Sequence, residues 1–155
     1  MNKFLLSVHV LAAIIFIGPV TVAASMFPPL ARRALAAEHA ENGVLQVLHR
    51  ISRGYAIGGL TVPVFGIAVA AGLGVLTDYW LIVSMALTAI AAGVLAFAVL
   101  PAQSRVLAGV GATPEVREQL MPQAKALSMT TGVFALLWAV VVVLMVVRPG
   151  STTGV

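Results

Sequence analysis

The stretch LLSVHVLAAIIFIGP, residues Leu5 to Pro19, decides the fold class of this chain. It is apolar apart from Ser7 and His9, and the apolar run that contains it covers about residues 4–30. A helix of about 20 mostly apolar residues is long enough to cross the hydrocarbon core of a bilayer. The stretch therefore predicts a transmembrane helix with a histidine inside it.

The composition of the whole chain agrees with a membrane location. Of its 155 residues, 61% are hydrophobic and 9% are charged, and the mean hydropathy is +1.07. Soluble domains carry about 25% charged residues, so this chain could not cover a soluble surface. The net charge is +4, but no basic run is interleaved with aromatic residues, which argues against nucleic-acid binding. The absence of cysteine excludes disulfides, thiolate catalysis and cysteine-ligated iron–sulfur clusters.

Four apolar runs are each long enough to cross a bilayer, and they cover about residues 4–30, 55–76, 80–100 and 127–147. The first run imitates a secretory signal, but it is longer than the usual stretch of about 7–15 apolar residues, so we interpret it as a span. We expect one integral membrane domain over residues 1–155. Its predicted fold is all-α, a four-helix transmembrane bundle.

The connections between the spans differ in length. The sequence TDYW at residues 77–80 predicts a tight hairpin turn, with both aromatic side chains at the headgroup level. Residues 32–43 and 104–125 form longer, polar connections. In the second of these, Thr113 suits a helix cap and Pro114 a first helical position, so we expect an amphipathic surface helix before the last span.

Basic residues predict the orientation of the bundle. Seven of the nine lie on the side of the two longer connections, namely Arg32, Arg33, Arg50, Arg53, Arg105, Arg117 and Lys125. The other two are Lys3 and Arg148. Basic residues are enriched on the cytoplasmic side of membrane proteins. We therefore expect cytoplasmic long connections, extracytoplasmic N- and C-termini, and a multi-pass protein of the plasma (bacterial inner) membrane.

Glycine and proline predict how the helices meet. Small residues allow close packing of membrane helices, and the second span is rich in glycine, with Gly58 and Gly66 on its length. We expect this helix to be central and to pack, or self-associate, through its glycine face. Pro19 and Pro63 should each bend a helix, and Pro28-Pro29 should end the first helix or kink it sharply.

His9 is the first candidate for a functional residue, because polar groups within spans tend to face the bundle interior and to mark sites. It could hydrogen-bond Ser7, a carbonyl or a water, or it could ligate haem iron, which needs only one strong axial ligand. Met85 and Met145 lie towards the same face and are weaker candidate ligands, since methionine more often fills gaps in a core. His39 and His49 fall near the opposite face and cannot share a metal with His9.

Motifs that would indicate catalysis are missing from the sequence. It has no paired carboxylates, no H-E-x-x-H, no phosphate-binding glycine loop and no acidic residue within a span. The hydroxyl residues of the spans are too scattered to line a channel. We therefore predict no catalytic residue and no metal site formed by side chains alone, and the chain is a poor candidate for an enzyme.

The stretch LLSVHVLAAIIFIGPVTVAASMFPPLARR resembles the first span of several small bacterial membrane proteins. They are a predicted integral membrane (DUF) family of about this length, the membrane domain of CopD-type copper-resistance proteins and the HemJ-type protoporphyrinogen oxidases. The shared pattern is an early histidine, a small residue at Gly18, and Arg32 and Arg33 at the exit. The resemblance implies that His9 matches a position that ligates haem b. HemJ-type proteins carry a lysine in the third helix, whereas residues 80–100 contain none, so haem or metal binding is implied more than oxidase activity.

Two functional hypotheses follow. The first is a membrane protein without catalytic groups, standing alone or as an accessory subunit that packs against other membrane subunits. The second is a haem-binding redox protein with His9 as the axial ligand. Lipid is the one partner that both require.

Overall fold

The computed structural model describes residues 2–37 and 41–150, and within them four long helices pack as a bundle. The first helix consists of Asn2–Ala12, a π-helical turn Ala13–Ile17, and Gly18–Ala36. The second consists of Gly43–Gly59 and Thr61–Leu73. The third consists of Tyr79–Gly93, a π-helical turn Val94–Val99, and Leu100–Gly109, and the fourth is Pro114–Val147. His39 lies outside the described residues.

All four helices are long and apolar enough to cross a membrane by length and composition. The chain is therefore a multi-pass membrane protein, and the prediction of an all-α bundle of four long helices is confirmed. Three of the predicted spans lie inside one helix each. The span expected over 55–76 runs past the end of the second helix at Leu73. The side of the membrane on which the termini lie stays a prediction.

A tight turn joins the second and third helices, as the sequence predicts. Gly74 adopts a left-handed conformation with φ of 70°, which suits glycine after a helix end. The Asp78 N–H then donates to the Val75 carbonyl at 3.0 Å, and the next helix begins at Tyr79. The side chain of Tyr79 is exposed, whereas that of Trp80 is buried between helices and not at a lipid-facing surface.

The fourth helix corrects one prediction. Thr113 takes the cap position in an extended conformation and Pro114 the first helical position, although the Thr113 side chain makes no capping hydrogen bond. The helix then continues without interruption to Val147 and contains Pro122. The expected separate surface helix is wrong, because the polar stretch and the apolar stretch form one helix of 34 residues.

Prolines explain the two π-helical turns. Pro19 and Pro101 each lie two residues after the end of one of them. A proline ring clashes with the carbonyl four residues earlier, at Ile15 and Phe97 respectively, and widening the preceding turn relieves that clash. Pro28-Pro29 behaves differently: the first helix runs on to Ala36, so of the two predicted alternatives the helix end is wrong and the kink stays a prediction.

Hydroxyl side chains donate hydrogen bonds to backbone carbonyls at two irregular places in the helices, as expected for a chain in lipid. Thr21 Oγ1 donates to the Ile17 carbonyl at 2.8 Å, at the end of the first π-helical turn. Thr61 Oγ1 donates to the Gly58 carbonyl at 2.7 Å, where the second helix is broken at Leu60.

The core is divided along the bundle axis. The half next to the two longer connections, called here the closed half, holds a large cluster of buried side chains from all four helices. The half next to the chain ends and the 74–78 turn, called here the open half, holds a small cluster of Ala70, Val75, Trp80 and Leu81. The stretch Gly18–Ala36 contacts all three other helices in the closed half, so the first helix, and not the second, is central.

Candidate functional site

A cavity of about 800 Å³ lies in the open half of the bundle. There Asn2–Ala12 packs against Thr61–Leu73, and Tyr79–Gly93 packs against the fourth helix, and the cavity lies between these two pairs. Its walls are mostly aliphatic, with side chains such as Val10, Ile14, Val69, Leu81, Val141 and Val142. Ligand pockets in proteins have volumes of about 300–1,000 Å³, so this cavity could hold a small molecule.

His9 lies in the wall of this cavity, half-buried. Its Nδ1 is 2.9 Å from the carbonyl oxygen of Val62 in the second helix. A carbonyl only accepts hydrogen bonds, so Nδ1 carries a proton, and in the neutral imidazole Nε2 keeps a lone pair. That lone pair has no hydrogen-bond partner among the described residues. The prediction that His9 points into the bundle is confirmed, and its partner is a carbonyl.

The imidazole ring fits because the residue opposite is a glycine. A Cβ atom added to Gly66 would lie 2.9 Å from His9 Cε1 and 3.3 Å from His9 Nδ1. Gly58 receives the ring of Phe16 in the same way. The second helix thus packs against the first helix through its glycine face, as predicted, and the two glycines admit side chains of that helix.

Met85 and Met145 both line the cavity that His9 lines. Met145 also packs against the small cluster around Trp80, whereas Met85 is 42% exposed. A thioether is a weak hydrogen-bond acceptor and a soft metal ligand. The structure therefore brings the three candidate ligands from the first, third and fourth helices to one cavity.

His49 lies in the closed half and does not line the cavity. Its Nδ1 is 3.1 Å from Gln103 Oε1, and Gln103 Nε2 donates to Ser52 Oγ at 3.5 Å. Gln103 and Ser52 are fully buried, so these bonds satisfy polar groups inside the core. The separation of His9 from His49 agrees with the expectation that one metal could not bind both.

Trp138 was not predicted from the sequence, yet it lines the cavity. Its indole Nε1 is buried and has no hydrogen-bond partner among the described residues. An unpaired buried N–H costs free energy, and more so in lipid, where water is absent. A tryptophan well inside a predicted span, away from the headgroup level, was the signal that could have identified it.

Trp80 and Arg148 line the end of the cavity next to the helix termini. Trp80 Nε1 donates to Asp78 Oδ2 at 3.0 Å. The guanidinium carbon of Arg148 lies 5.5 Å from the centre of the Trp80 ring, within range of a cation–π interaction. Arg148 Nε donates to the Met145 carbonyl at 3.2 Å. The sequence indicated Arg148 as an orientation signal, but not as part of a site.

Among residues 2–37 and 41–150, no three His, Asp or Glu side chains come together as a group that could hold a metal ion. Comparisons of the chain with protein-family models, with curated proteins and with solved structures found no match in any of the three. The resemblances of the first span therefore stay predictions. The fold and the geometry establish a small multi-pass membrane protein with a large apolar cavity. Three side chains that could ligate a metal line this cavity.

Proposed function

We propose that this chain is a membrane-embedded ligand-binding protein and that haem b is the ligand, with His9 Nε2 as an axial ligand. The observation that supports this most is the state of His9 in the cavity wall. Its Nδ1 is fixed by the Val62 carbonyl, and its Nε2 is left with a free lone pair. Histidines that ligate metals are typically held in this way, since the second hydrogen bond sets the tautomer and the ring orientation.

The other side chains of the cavity fit the same group. Histidine and methionine together are known ligands of haem iron, and Met85 or Met145 in the same cavity would offer the second one. The aliphatic walls would cover the macrocycle and exclude water from it. The unpaired indole N–H of Trp138 would find an acceptor on a bound molecule. When bound, haem would supply one-electron redox chemistry.

The other hypothesis, an accessory subunit that packs through glycine faces, gains less support. Gly58 and Gly66 are already covered by Phe16 and His9 of the same chain. A Cβ atom at Gly54 would meet nothing within 4 Å, so room for another subunit exists there, but lipid fills such a surface equally well.

The visible spectrum of purified protein tests the proposal. We expect protein reconstituted with haem b to show a Soret band that His9→Ala abolishes, because the iron then loses its axial nitrogen. His49→Ala is a matched control, since His49 is also half-buried and hydrogen-bonded but lies outside the cavity. Met85→Leu and Met145→Leu should alter the reduced spectrum only if that sulfur is the second ligand.

A wild-type protein that gains no Soret band after reconstitution would contradict the proposal. Equal loss of the band in His9→Ala and His49→Ala would also contradict it, because the loss would then not be specific to the histidine in the cavity wall.

A further inference from the structure

Arg148 places a cation at the end of an apolar cavity. The role proposed for His9 gives this cation no function. The side chain is half-buried and lines the cavity. Only its Nε has a hydrogen-bond acceptor among the described residues, the Met145 carbonyl, and no acidic side chain there pairs with it. The Asp78 carboxylate at the same end accepts from the Trp80 indole instead. The terminal guanidinium nitrogens thus remain able to donate to a bound molecule.

The backbone of Arg148 explains why its side chain lies at the end of the cavity. It has φ of 46° and caps the fourth helix in the left-handed conformation, and it is the one non-glycine residue with positive φ among the described residues. This conformation is unfavourable for a residue with a Cβ, and glycine is the usual occupant of such a cap. Pro149 follows and disfavours the right-handed helical conformation at Arg148, so the fourth helix ends here with the arginine side chain in the cavity wall.

We propose that the cavity takes an amphiphile with an anionic oxygen head group, a carboxylate or a phosphate, held by Arg148. Its apolar body then lies along the aliphatic wall towards Trp138. This inference rests on the proposed function, since the two carboxylates of haem b give it the required chemistry. A membrane lipid or a free fatty acid has the same chemistry, and the experiment distinguishes these sources.

The physical environment favours such binding. A guanidinium presents several donors in a planar fork that matches a carboxylate or a phosphate. The Trp80 ring under it fixes its position. Apolar walls lower the local dielectric constant, which strengthens the attraction between Arg148 and an anion compared with the same pair in water.

Two pairs of probes separate the contribution of the anionic head group to the binding affinity from that of the apolar body. Haem b is compared with its dimethyl ester, which keeps the iron and the macrocycle but lacks the carboxylates. Brominated stearate is compared with brominated stearyl alcohol at alkaline pH, where the carboxylate is ionised. Bromine quenches tryptophan fluorescence, and both tryptophans of the chain, Trp80 and Trp138, line the cavity.

Arg148→Gly is the test variant, because glycine adopts the left-handed cap without strain and the fold should persist. We expect it to bind stearate and haem b about tenfold more weakly than wild type, as loss of a charge-assisted hydrogen bond implies. Binding of the alcohol and of the dimethyl ester should change less than about threefold. Lys3→Gln removes a positive charge from an exposed side chain at the same end and should leave all four affinities unchanged.

The proposal is wrong if wild-type protein binds stearate and the alcohol equally, if Arg148→Gly weakens both alike, or if Lys3→Gln has the same effect. Failure of wild-type protein to bind haem b or its ester would overturn the haem proposal alone, and the acyl probes would still decide the role of Arg148. A preference for stearate with no binding of haem would identify the anion as that of a lipid or a fatty acid.

Discussion

The two halves of this bundle are built differently. In the closed half, alanines such as Ala24, Ala31 and Ala124 are fully buried, and Gln103 bonds His49 inside the core. In the open half, the helices pack as two pairs with a cavity between them. Lipid gives helices no hydrophobic reason to associate, so small residues and polar bonds decide where they meet. A membrane bundle can therefore be held together at one end and keep space for a ligand at the other.

Cysteine labelling in intact cells tests which half faces outward, and its expected effect is all or none. Thr77 is exposed in the turn of the open half, and Gly111 is exposed in a connection of the closed half. If the basic residues set the orientation, Thr77→Cys should react with an impermeant reagent in intact cells and Gly111→Cys only after lysis. The chain has no native cysteine to confuse the result. The reverse pattern would invert the predicted topology.

Core truncations test whether the closed half supplies most of the stability. Phe27 is fully buried there, and Phe27→Ala should cost about 2–3 kcal/mol, the packing part of the usual loss for a buried aromatic. Met85 borders an existing cavity, so Met85→Ala should cost less than about 1 kcal/mol. Reversible unfolding in mixed micelles measures both. Similar losses for the two variants would mean that the halves are equally well packed.

A glycine substitution tests the contact that positions His9. Gly66→Leu should cost about 1–2 kcal/mol by overpacking and should also displace His9 from the Val62 carbonyl. Gly54→Leu is the matched control in the same helix, because a Cβ there meets nothing within 4 Å. Thermal stability and haem binding are measured together. Unchanged values for Gly66→Leu would show that the imidazole does not need this glycine.

Much of the fold could be predicted because membrane helices follow from length and hydropathy alone. Helix ends were less predictable: Thr113 and Pro114 signalled a helix start, but nothing local shows that the first helix continues beyond Pro29 or that the helix from Pro114 runs on into the last span. The inward direction of His9 followed from the cost of an unpaired imidazole in lipid. The hydrogen-bond partner of His9 could not be predicted, because which carbonyl lies next to the ring depends on the register between two helices. Trp138 and Arg148 were missed for the same reason, since the cavity arises from the separation of helix pairs.

The π-helical turn Ala13–Ile17 determines which way His9 faces. A π turn holds about one residue more than an α turn, and each residue of a helix advances the azimuth by about 100°. The turn therefore rotates the stretch that carries His9 about the helix axis relative to the buried stretch Gly18–Ala36. Deleting one residue from it would rotate His9 by about a quarter of a circle relative to the core. A single inserted codon in such a turn therefore changes which side chains of the preceding stretch face the cavity.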